Sequence, residues 1–225
     1  MEEAADKNRS KGHSASRGTR VALAVLIVAV VVLSGISISY YSLSKHYYDA
    51  KYKAQYEIVS SLIVSLGNAM DGISWMINDT FPTFSRLDGS EIAKVNLDHA
   101  ERETVSIAVM YPRSSLERNA FENLSGPFGW IGRELVGEYR DRLFNSVNAN
   151  SSYVTNETVK SRFLAINAEI SRVVVLLNDG IDGSVDWDAH PYSLVKRMDL
   201  QEIEKATKDL ADAGTQLWQV FISVS

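Results

Sequence analysis

The first feature of the chain is a long apolar run without charge near its beginning. Residues 21–44 include no charged side chain, and the first thirteen of them are all Val, Ala, Leu or Ile. These twenty-four residues form about 36 Å of helix, which exceeds the roughly 30 Å of a bilayer's hydrocarbon core. A helix that is apolar on every side either lies buried in a protein core or spans a membrane, and the uniform apolarity of this run favours the membrane. The run therefore predicts a transmembrane signal-anchor helix over 21–44.

The residues that flank this run predict its orientation. Residues 1–20 carry five basic and three acidic side chains, so the net charge of this segment is +2. Basic flanks favour the cytoplasmic side of a membrane, whereas tyrosines favour the headgroup layer. Tyrosines stand at the end of the run and directly after it, and they are Tyr40, Tyr41, Tyr47 and Tyr48. We therefore expect a single-pass protein of the cell (plasma) membrane. Residues 1–20 form its cytoplasmic tail, and residues 45–225 form its extracytoplasmic domain.

Two other interpretations of the run stay open. A signal peptide with a small-residue cleavage site at Ser37 to Ser39 would release the chain before Tyr40, although its apolar region is usually only 7–15 residues long. A pilin-like leader would be cut near Arg17-Gly18, although Arg20 would then place a charge at the start of the processed helix. The length of the run favours the anchor over both.

Beyond the anchor, apolar residues recur at the three- and four-residue spacing of an amphipathic helix. The stripe consists of Tyr52, Tyr56, Val59, Ile63, Leu66, Met70, Ile73 and Ile77. The first proline of the chain is Pro82, and a residue that precedes proline is pushed out of the α region. One helix is therefore expected to run from the anchor to about Asp79 and to end at Phe81-Pro82.

Further helices are predicted by the same spacing. They cover 91–110, 116–124, 130–147 and 199–221. A further helix is capped by Thr155 or Asn156 and extends through Leu177. Breaks are expected at 125–129, which contains Gly-Pro, and at 148–152. No segment alternates as a strand does. The chain is therefore predicted to be all-α, with its transmembrane helix continuing into an extracytoplasmic up-and-down bundle of four or five helices.

Charge and composition narrow the chemistry of this domain. The 225 residues carry a net charge of −5 and include no cysteine, which excludes Cys-ligated metals, iron–sulfur clusters and thiol catalysis. Because the tail is basic, the rest of the chain carries −7. An acidic domain lacks the positive surface that phosphate contacts require, so we expect no nucleic-acid partner.

Recognisable catalytic motifs are absent from the sequence. The chain has no Gly-x-Ser-x-Gly elbow, no phosphate-binding loop and no Gly-x-Gly-x-x-Gly fingerprint. Its four histidines have no ligand partner at a recognisable spacing, and they are His13, His46, His99 and His190. We therefore expect neither enzymatic activity nor a cofactor.

Acidic residues cluster between Asn178 and Asp188. The members are Asp179, Asp182, Asp186 and Asp188, with Gly180 and Gly183 among them, and carboxylates on such a loop suit Ca²⁺. The fit to an EF-hand is poor because Ala189 stands at the twelfth position, where an acidic ligand is needed. The competing interpretation is a solvated turn. A metal-dependent anchored enzyme that uses this loop is a lesser alternative.

Four Asn-x-Ser/Thr sequons lie in the predicted extracytoplasmic domain, in or near predicted breaks. Their acceptors are Asn78, Asn123, Asn150 and Asn156. Such acceptors are glycosylated on the exterior side of a membrane in organisms that carry out this modification. We therefore expect a glycoprotein with these four acceptors, although Asn156 also suits a helix cap.

Six aromatic residues cluster near the predicted breaks. They are Trp75, Phe81, Phe84, Phe121, Phe128 and Trp130. Aromatic residues are enriched at the energetic centres of protein interfaces, so one interpretation is a partner or ligand patch at a bundle end. The other is that they fill the ends of the bundle core.

The uninterrupted stripe from Tyr40 to Ile77, directly behind a membrane helix, resembles the four-helix-bundle sensory ectodomains of chemoreceptors and sensor kinases. That resemblance implies ligand sensing. Such receptors return through the membrane to signal inside, whereas we expect no second span here and a tail of only about 20 residues. The sequence therefore predicts an anchored helical module for protein binding or complex assembly, with a protein partner or a second copy as its ligand. The alternative is a sensory domain that signals through a partner.

Overall fold

The structure of the chain, a computed structural model, describes residues 17–146, 157–181 and 198–223. These residues form α1 (Arg17–Ile77), α2 (Thr83–Ala108), α3 (Leu116–Trp130), a π-helical segment (Ile131–Val136), α4 (Gly137–Ser146), α5 (Glu157–Ile181) and α6 (Leu200–Ser223). No break separates α3, the π-helical segment and α4, which together form one continuous helix. The described part of the chain therefore contains five continuous helices. It contains no strand, which confirms the all-α prediction.

The first of two compact units comprises residues 1–49. In its described part, the apolar side chains of α1 are exposed, as Val21, Leu26 and Val31 illustrate. Within the described part of the chain, α1 is the one helix that is long and apolar enough to cross a membrane. The helix thus agrees with the predicted span, whereas the orientation of the chain stays a prediction.

The second unit comprises residues 50–225 and contains an up-and-down bundle. The continuous helix over 116–146 and α6 pack in parallel, since Arg142 and Phe221, which lie late in each, are joined by a hydrogen bond. In the pairs α1–α2, α2–continuous helix and α5–α6, early residues of one helix meet late residues of the other. The contacts that show this are Asn68–Asn96 and Gly72–Gly89 for α1 with α2, Glu101–Arg133 and Arg86–Tyr139 for α2 with the continuous helix, and Arg172–Glu202 and Arg162–Gln216 for α5 with α6. Contacts Met70–Asn167 and Asp79–Lys160 likewise set α5 antiparallel to α1.

The buried faces of these helices follow the predicted stripes. In α5 every apolar residue of the predicted stripe is buried, and these are Val159, Phe163, Ile166, Ile170, Val173 and Leu177. In α1 the stripe members Val59, Leu66 and Ile73 are fully buried. Burial of each such side chain contributes about 1.5–3 kcal/mol relative to exposure. The 3.6-residue periodicity therefore identified the buried face of α5 in full and that of α1 in part, since Tyr56 is exposed whereas Leu62 and Met76, outside the predicted stripe, are fully buried.

The predicted break at 125–129 is wrong, because these residues belong to α3. Pro127 lies inside the helix, where it removes one backbone donor. Leu124 and Phe128 flank it and are fully buried in the core. We attribute the continuity of the helix to this burial, which outweighs the cost of the proline.

Two helix boundaries also differ from the prediction. α2 begins at Thr83, before the predicted residue 91, because its first turns bury Arg86, Gly89 and Ser90 and therefore carry no apolar stripe. α5 continues to Ile181, so Asn178 and Asp179 are helical and do not belong to a loop. The predicted start of α6 is correct, since the side chain of Asp199 accepts hydrogen bonds of 3.1 Å from the next turn.

α1 and α2 approach each other most closely at two glycines. A Cβ atom on Gly72 would lie 2.5 Å from the backbone nitrogen of Ala93 and 2.7 Å from the carbonyl oxygen of Gly89. A Cβ on Gly89 would lie 2.8 Å from the backbone nitrogen of Met76. Backbone atoms cannot rotate away as a side chain does, so the packing of this helix pair requires glycine at both positions.

We expect Gly72→Ala to destabilise the bundle by about 1–3 kcal/mol, the usual cost of overpacking a rigid contact. Gly67→Ala is the matched control, because it lies on the same helix and a Cβ there meets no atom within 4 Å. The control should leave stability unchanged or raise it by up to about 1 kcal/mol through helix propensity. Urea unfolding of the full chain in detergent, followed by circular dichroism, measures both. Equal stability of the two variants would contradict the close contact.

Candidate functional site

A cleft opens on the surface between the first half of α2 and α4. Its volume is about 440 Å³, within the range of small-ligand pockets. Its walls are formed by Phe84, Leu87, Asp88 and Glu91 of α2 and by Arg140, Asp141 and Phe144 of α4. The four residues of α2 are spaced three, one and three positions apart, so they share one face of that helix.

Each wall of the cleft presents an exposed aromatic ring. Phe84 is 74% exposed and Phe144 is 60% exposed, although both belong to otherwise well-packed helices. Single exposed apolar residues are ordinary on protein surfaces, but two large rings that line one concavity form a local apolar surface. Such surfaces are typical of binding sites.

The remaining groups give the cleft a negative charge. Asp88, Glu91 and Asp141 oppose a single cation, Arg140, so the net charge of the lining is −2. Arg140 lies 3.5 Å from Glu91, and both side chains are about half exposed. Asp88 and Asp141 form no ion pair with another described residue. The cleft therefore combines aromatic rings with two carboxylates that are not neutralised within the described part of the chain.

A buried arginine fixes the two helices behind the cleft. Arg86 lies on the opposite face of α2, and its Nη2 donates to the hydroxyl of Tyr139 on α4 over 2.5 Å. Its Nε donates to the carbonyl of Met76, at the last turn of α1, over 2.9 Å. Both bonds are buried, and the backbone acceptor is one that the end of a helix leaves without an intrahelical donor. One guanidinium thus joins α1, α2 and α4.

Acidic and basic partners extend this network to α5. Asp79 lies 3.2 Å from Nη1 of Arg86 and also pairs with Lys160, which in turn lies 2.9 Å from Glu157. Two cations and two carboxylates therefore alternate along the chain of contacts. A buried charge is tolerated when it is both paired and hydrogen-bonded, which describes Arg86. We interpret the network as structural support for the cleft.

Tyr139 is the titratable group that this environment perturbs. Burial raises the pKa of the Tyr139 hydroxyl, while the neighbouring guanidinium of Arg86 opposes the shift. The ring packs edge-on against Phe163 of α5 at a centroid distance of 5.3 Å. The neutral phenol is therefore the form that the folded protein holds at ordinary pH.

Two other charged clusters join helices. Arg172 of α5 lies 2.5 Å from Glu202 and 2.9 Å from Asp209 of α6, and the hydrogen bond to Glu202 raises the pKa of this arginine. Arg133 of the π-helical segment lies 2.5 Å from Glu101 of α2, and that bond likewise raises its pKa. Exposed ion pairs of this kind contribute little to stability, because water and salt screen them. They act as ties between helices.

The structure separates the residues that the sequence singled out for glycosylation and metal binding. Asn78 lies in the turn after α1, where its side-chain oxygen accepts a 3.0 Å hydrogen bond from the backbone of Thr80. Asn123 is exposed on α3, and Asp179 lies in the last turns of α5. The other predicted residues are outside the described ranges, and they are Asn150, Asn156, Asp182, Asp186 and Asp188. Among described residues, no group of three or more His, Asp or Glu could hold a metal ion.

The six predicted aromatic residues divide between the two interpretations. Phe121 and Phe128 are fully buried and fill the core, and Trp130 is partly buried against it. Trp75 and Phe81 are 47% and 37% exposed and pack edge-on at 6.1 Å, while Phe84 lines the cleft. Sequence reasoning identified Phe84 as a candidate but missed Phe144, although Phe144 lies only four residues before the predicted break at 148–152. It also missed the pairing of Arg86 with Tyr139, for which local sequence carries no signal.

Comparison with known proteins adds no functional information. No protein-family model, curated protein or solved structure matches this chain. The likeness to sensory ectodomains thus stays a resemblance of architecture. Function is therefore inferred from the geometry of the cleft and from the apolar helix.

We expect Tyr139→Phe to lower the free energy of unfolding by about 1–3 kcal/mol near pH 8, because a buried donor of Arg86 loses this acceptor. The deficit should shrink above about pH 10, the ordinary tyrosine pKa. There the unfolded wild-type chain releases the Tyr139 proton before the folded chain does, so the hydroxyl's stabilising contribution is lost as pH rises. Urea unfolding at pH 8 and pH 10.5 measures the difference.

Tyr56→Phe controls for the loss of a hydroxyl, because Tyr56 is partly exposed on α1. It should leave stability unchanged at pH 8. A Tyr139→Phe deficit that stays constant between the two pH values would show that titration of this hydroxyl does not affect stability.

Proposed function

We propose that this protein is a single-pass, membrane-anchored helical module that binds another protein at the α2–α4 cleft, without catalytic activity. The observation that carries the proposal is the pair of exposed rings, Phe84 and Phe144, on the two walls of that cleft. Aromatic side chains that are exposed in the free protein and become buried in a complex dominate binding energies. Residues 45–225 are proposed to form the surface-exposed, extracytoplasmic part of the molecule.

Two properties of the first unit support the anchor. α1 is long and apolar enough to span a bilayer, and its described apolar side chains within the first unit are exposed. The preceding tail carries a positive net charge and the following residues include tyrosines, as expected for a helix with its beginning in the cytoplasm. Anchoring confines a binding surface to the membrane, where a partner is met at high effective concentration.

The chemistry of the lining supports binding over catalysis. The cleft presents two phenylalanines, one leucine, three carboxylates and one guanidinium. This set lacks a Ser, Thr, Cys or Lys nucleophile beside a general base, the arrangement on which acyl-transfer hydrolysis depends. Tyr139 and Arg86 are buried behind the cleft and are hydrogen-bonded to each other.

A sensory role is the second candidate. The volume of about 440 Å³ suits a small molecule as well as a protein side chain. The anchored bundle would then bind a solute and signal through a membrane partner. Thermal-shift screening of the full chain in detergent against amino acids, amines and sugars separates this role from protein binding.

The proposed orientation is tested by single cysteines, because the chain has none of its own. Ser114→Cys places a thiol on an exposed position between α2 and α3, and Ser10→Cys places one in the tail. A membrane-impermeant maleimide should label Ser114→Cys on intact cells and Ser10→Cys only after permeabilisation. The reverse labelling pattern would overturn the orientation.

Partner binding is tested by truncating both rings. We expect Phe84→Ala combined with Phe144→Ala to abolish most chemical cross-linking of the full chain to its membrane neighbour, since loss of a hot spot costs about 2 kcal/mol, or roughly 30-fold in affinity. Leu116→Ala combined with Leu164→Ala is the control, because both residues are exposed apolar positions outside the cleft. Undiminished cross-linking in the ring variant, or a chain that is solitary in the membrane, would refute the proposal.

A further inference from the structure

We infer that the cleft receives an arginine side chain of the partner protein. This inference rests on the proposed function and specifies the chemistry of its ligand. The guanidinium would lie against the rings of Phe84 and Phe144 and would be neutralised by Asp88 and Asp141.

The two walls of the cleft repeat the same pair of groups. On α2, Asp88 follows Phe84 by four residues, and on α4, Phe144 follows Asp141 by three. Both spacings place the two side chains on one face of a helix. Each wall therefore presents an aromatic ring beside a carboxylate, and both pairs line the same cleft.

This combination of groups selects a cation. The face of an aromatic ring carries negative potential and attracts ammonium or guanidinium groups within about 6 Å of its centre. Asp88 and Asp141 add negative charge that no described residue pairs, while Arg140 already lies near Glu91. A purely apolar partner helix would bury these carboxylates without compensation. Anionic lipid would be repelled by them.

Arginine fits better than lysine for a geometric reason. Its guanidinium is planar and stacks on aromatic rings, and its donors form bidentate bonds with carboxylates at the same time. The ammonium of lysine is a compact, strongly hydrated charge that loses more on leaving water. The mixture of rings and carboxylates in this cleft therefore favours arginine.

The walls are also held in place before the ligand arrives. The bond between Arg86 and Tyr139 joins α2 to α4 on the side opposite the cleft, and Asp79 and Lys160 extend this support. A site that is already formed loses less conformational entropy on binding. The buried network thus contributes to affinity without touching the ligand.

The test uses the full chain in nanodiscs of neutral phosphatidylcholine and two probe peptides, acetyl-Gly-Arg-Gly-amide and its citrulline counterpart. Citrulline keeps the size of arginine but lacks its charge. Saturation-transfer NMR should show the arginine peptide binding about tenfold more tightly at low salt, from ring contact and two exposed ion pairs. Equal affinities of the two peptides would overturn the inference.

Two variant pairs separate the cleft from the overall charge of the domain. Asp88→Asn with Asp141→Asn should remove the preference for arginine, whereas Asp71→Asn with Asp212→Asn should keep it, because these exposed carboxylates lie outside the cleft and change the net charge equally. Phe84→Leu with Phe144→Leu should weaken arginine binding about threefold, since apolar contact stays and the ring faces are lost. Identical effects of the two Asn pairs would overturn the inference.

Cross-linking in membranes distinguishes this inference from the proposed function. Partner capture should fall in the variant that combines Asp88→Asn and Asp141→Asn, as it does in the variant that lacks both rings. Capture that requires the rings but not the carboxylates would leave the proposed function intact and refute the arginine ligand. The peptides could still differ in affinity while both variants capture the partner as well as the wild type does. That result would refute the proposed partner binding and retain the cation site.

Discussion

The arrangement of the helices around the cleft depends on the buried guanidinium of Arg86. A charged group that is removed from water costs several kcal/mol unless it is both hydrogen-bonded and paired. Arg86 satisfies this requirement through the carbonyl of Met76, the hydroxyl of Tyr139 and the carboxylate of Asp79. These acceptors belong to the end of α1, to α4 and to the turn after α1. Satisfying one charge therefore fixes the positions of three segments.

The close contact of α1 and α2 makes this arrangement attainable. At Gly89 the backbone of α2 lies against Met76, where a side chain would collide with the backbone of α1. The carbonyl of Met76 is thereby brought within reach of Arg86, which lies one turn earlier in α2. The glycine pair and the arginine thus depend on each other. The guanidinium is stabilised by the carbonyl of Met76, and that carbonyl lies within reach only because the two helices approach closely. The opposite face of α2 lines the cleft. The rigid contacts on the buried face of α2 therefore hold the exposed aromatic and acidic groups of the cleft in place.

Local sequence predicted much of this fold. The apolar run over 21–44 and the stripes in α1 and α5 identified helices, and the stripe in α5 also identified its buried face, because the period of a helix is a local property of the chain. The same spacing placed the start of α6 at Asp199. Prediction failed where burial overrode a local signal. Pro127 did not interrupt α3, because Leu124 and Phe128 lie in the core beside it. α2 began before its apolar stripe, because its first turns bury an arginine, a glycine and a serine.

The sequence by itself determined that the chain is helical, that one helix is apolar enough to enter a membrane, and which face of α5 is buried. Only the tertiary structure decided which aromatic residues are core and which are surface, since Phe128 and Phe84 look alike in their local surroundings. It also decided that Arg86 meets Tyr139, 53 residues away, and that two helices leave a cleft between them. The physical reason is that periodicity is set by neighbours along the chain. Pairing and exposure are set by the free energy of contacts between residues that are distant in sequence, and these contacts exist only once the helices have packed.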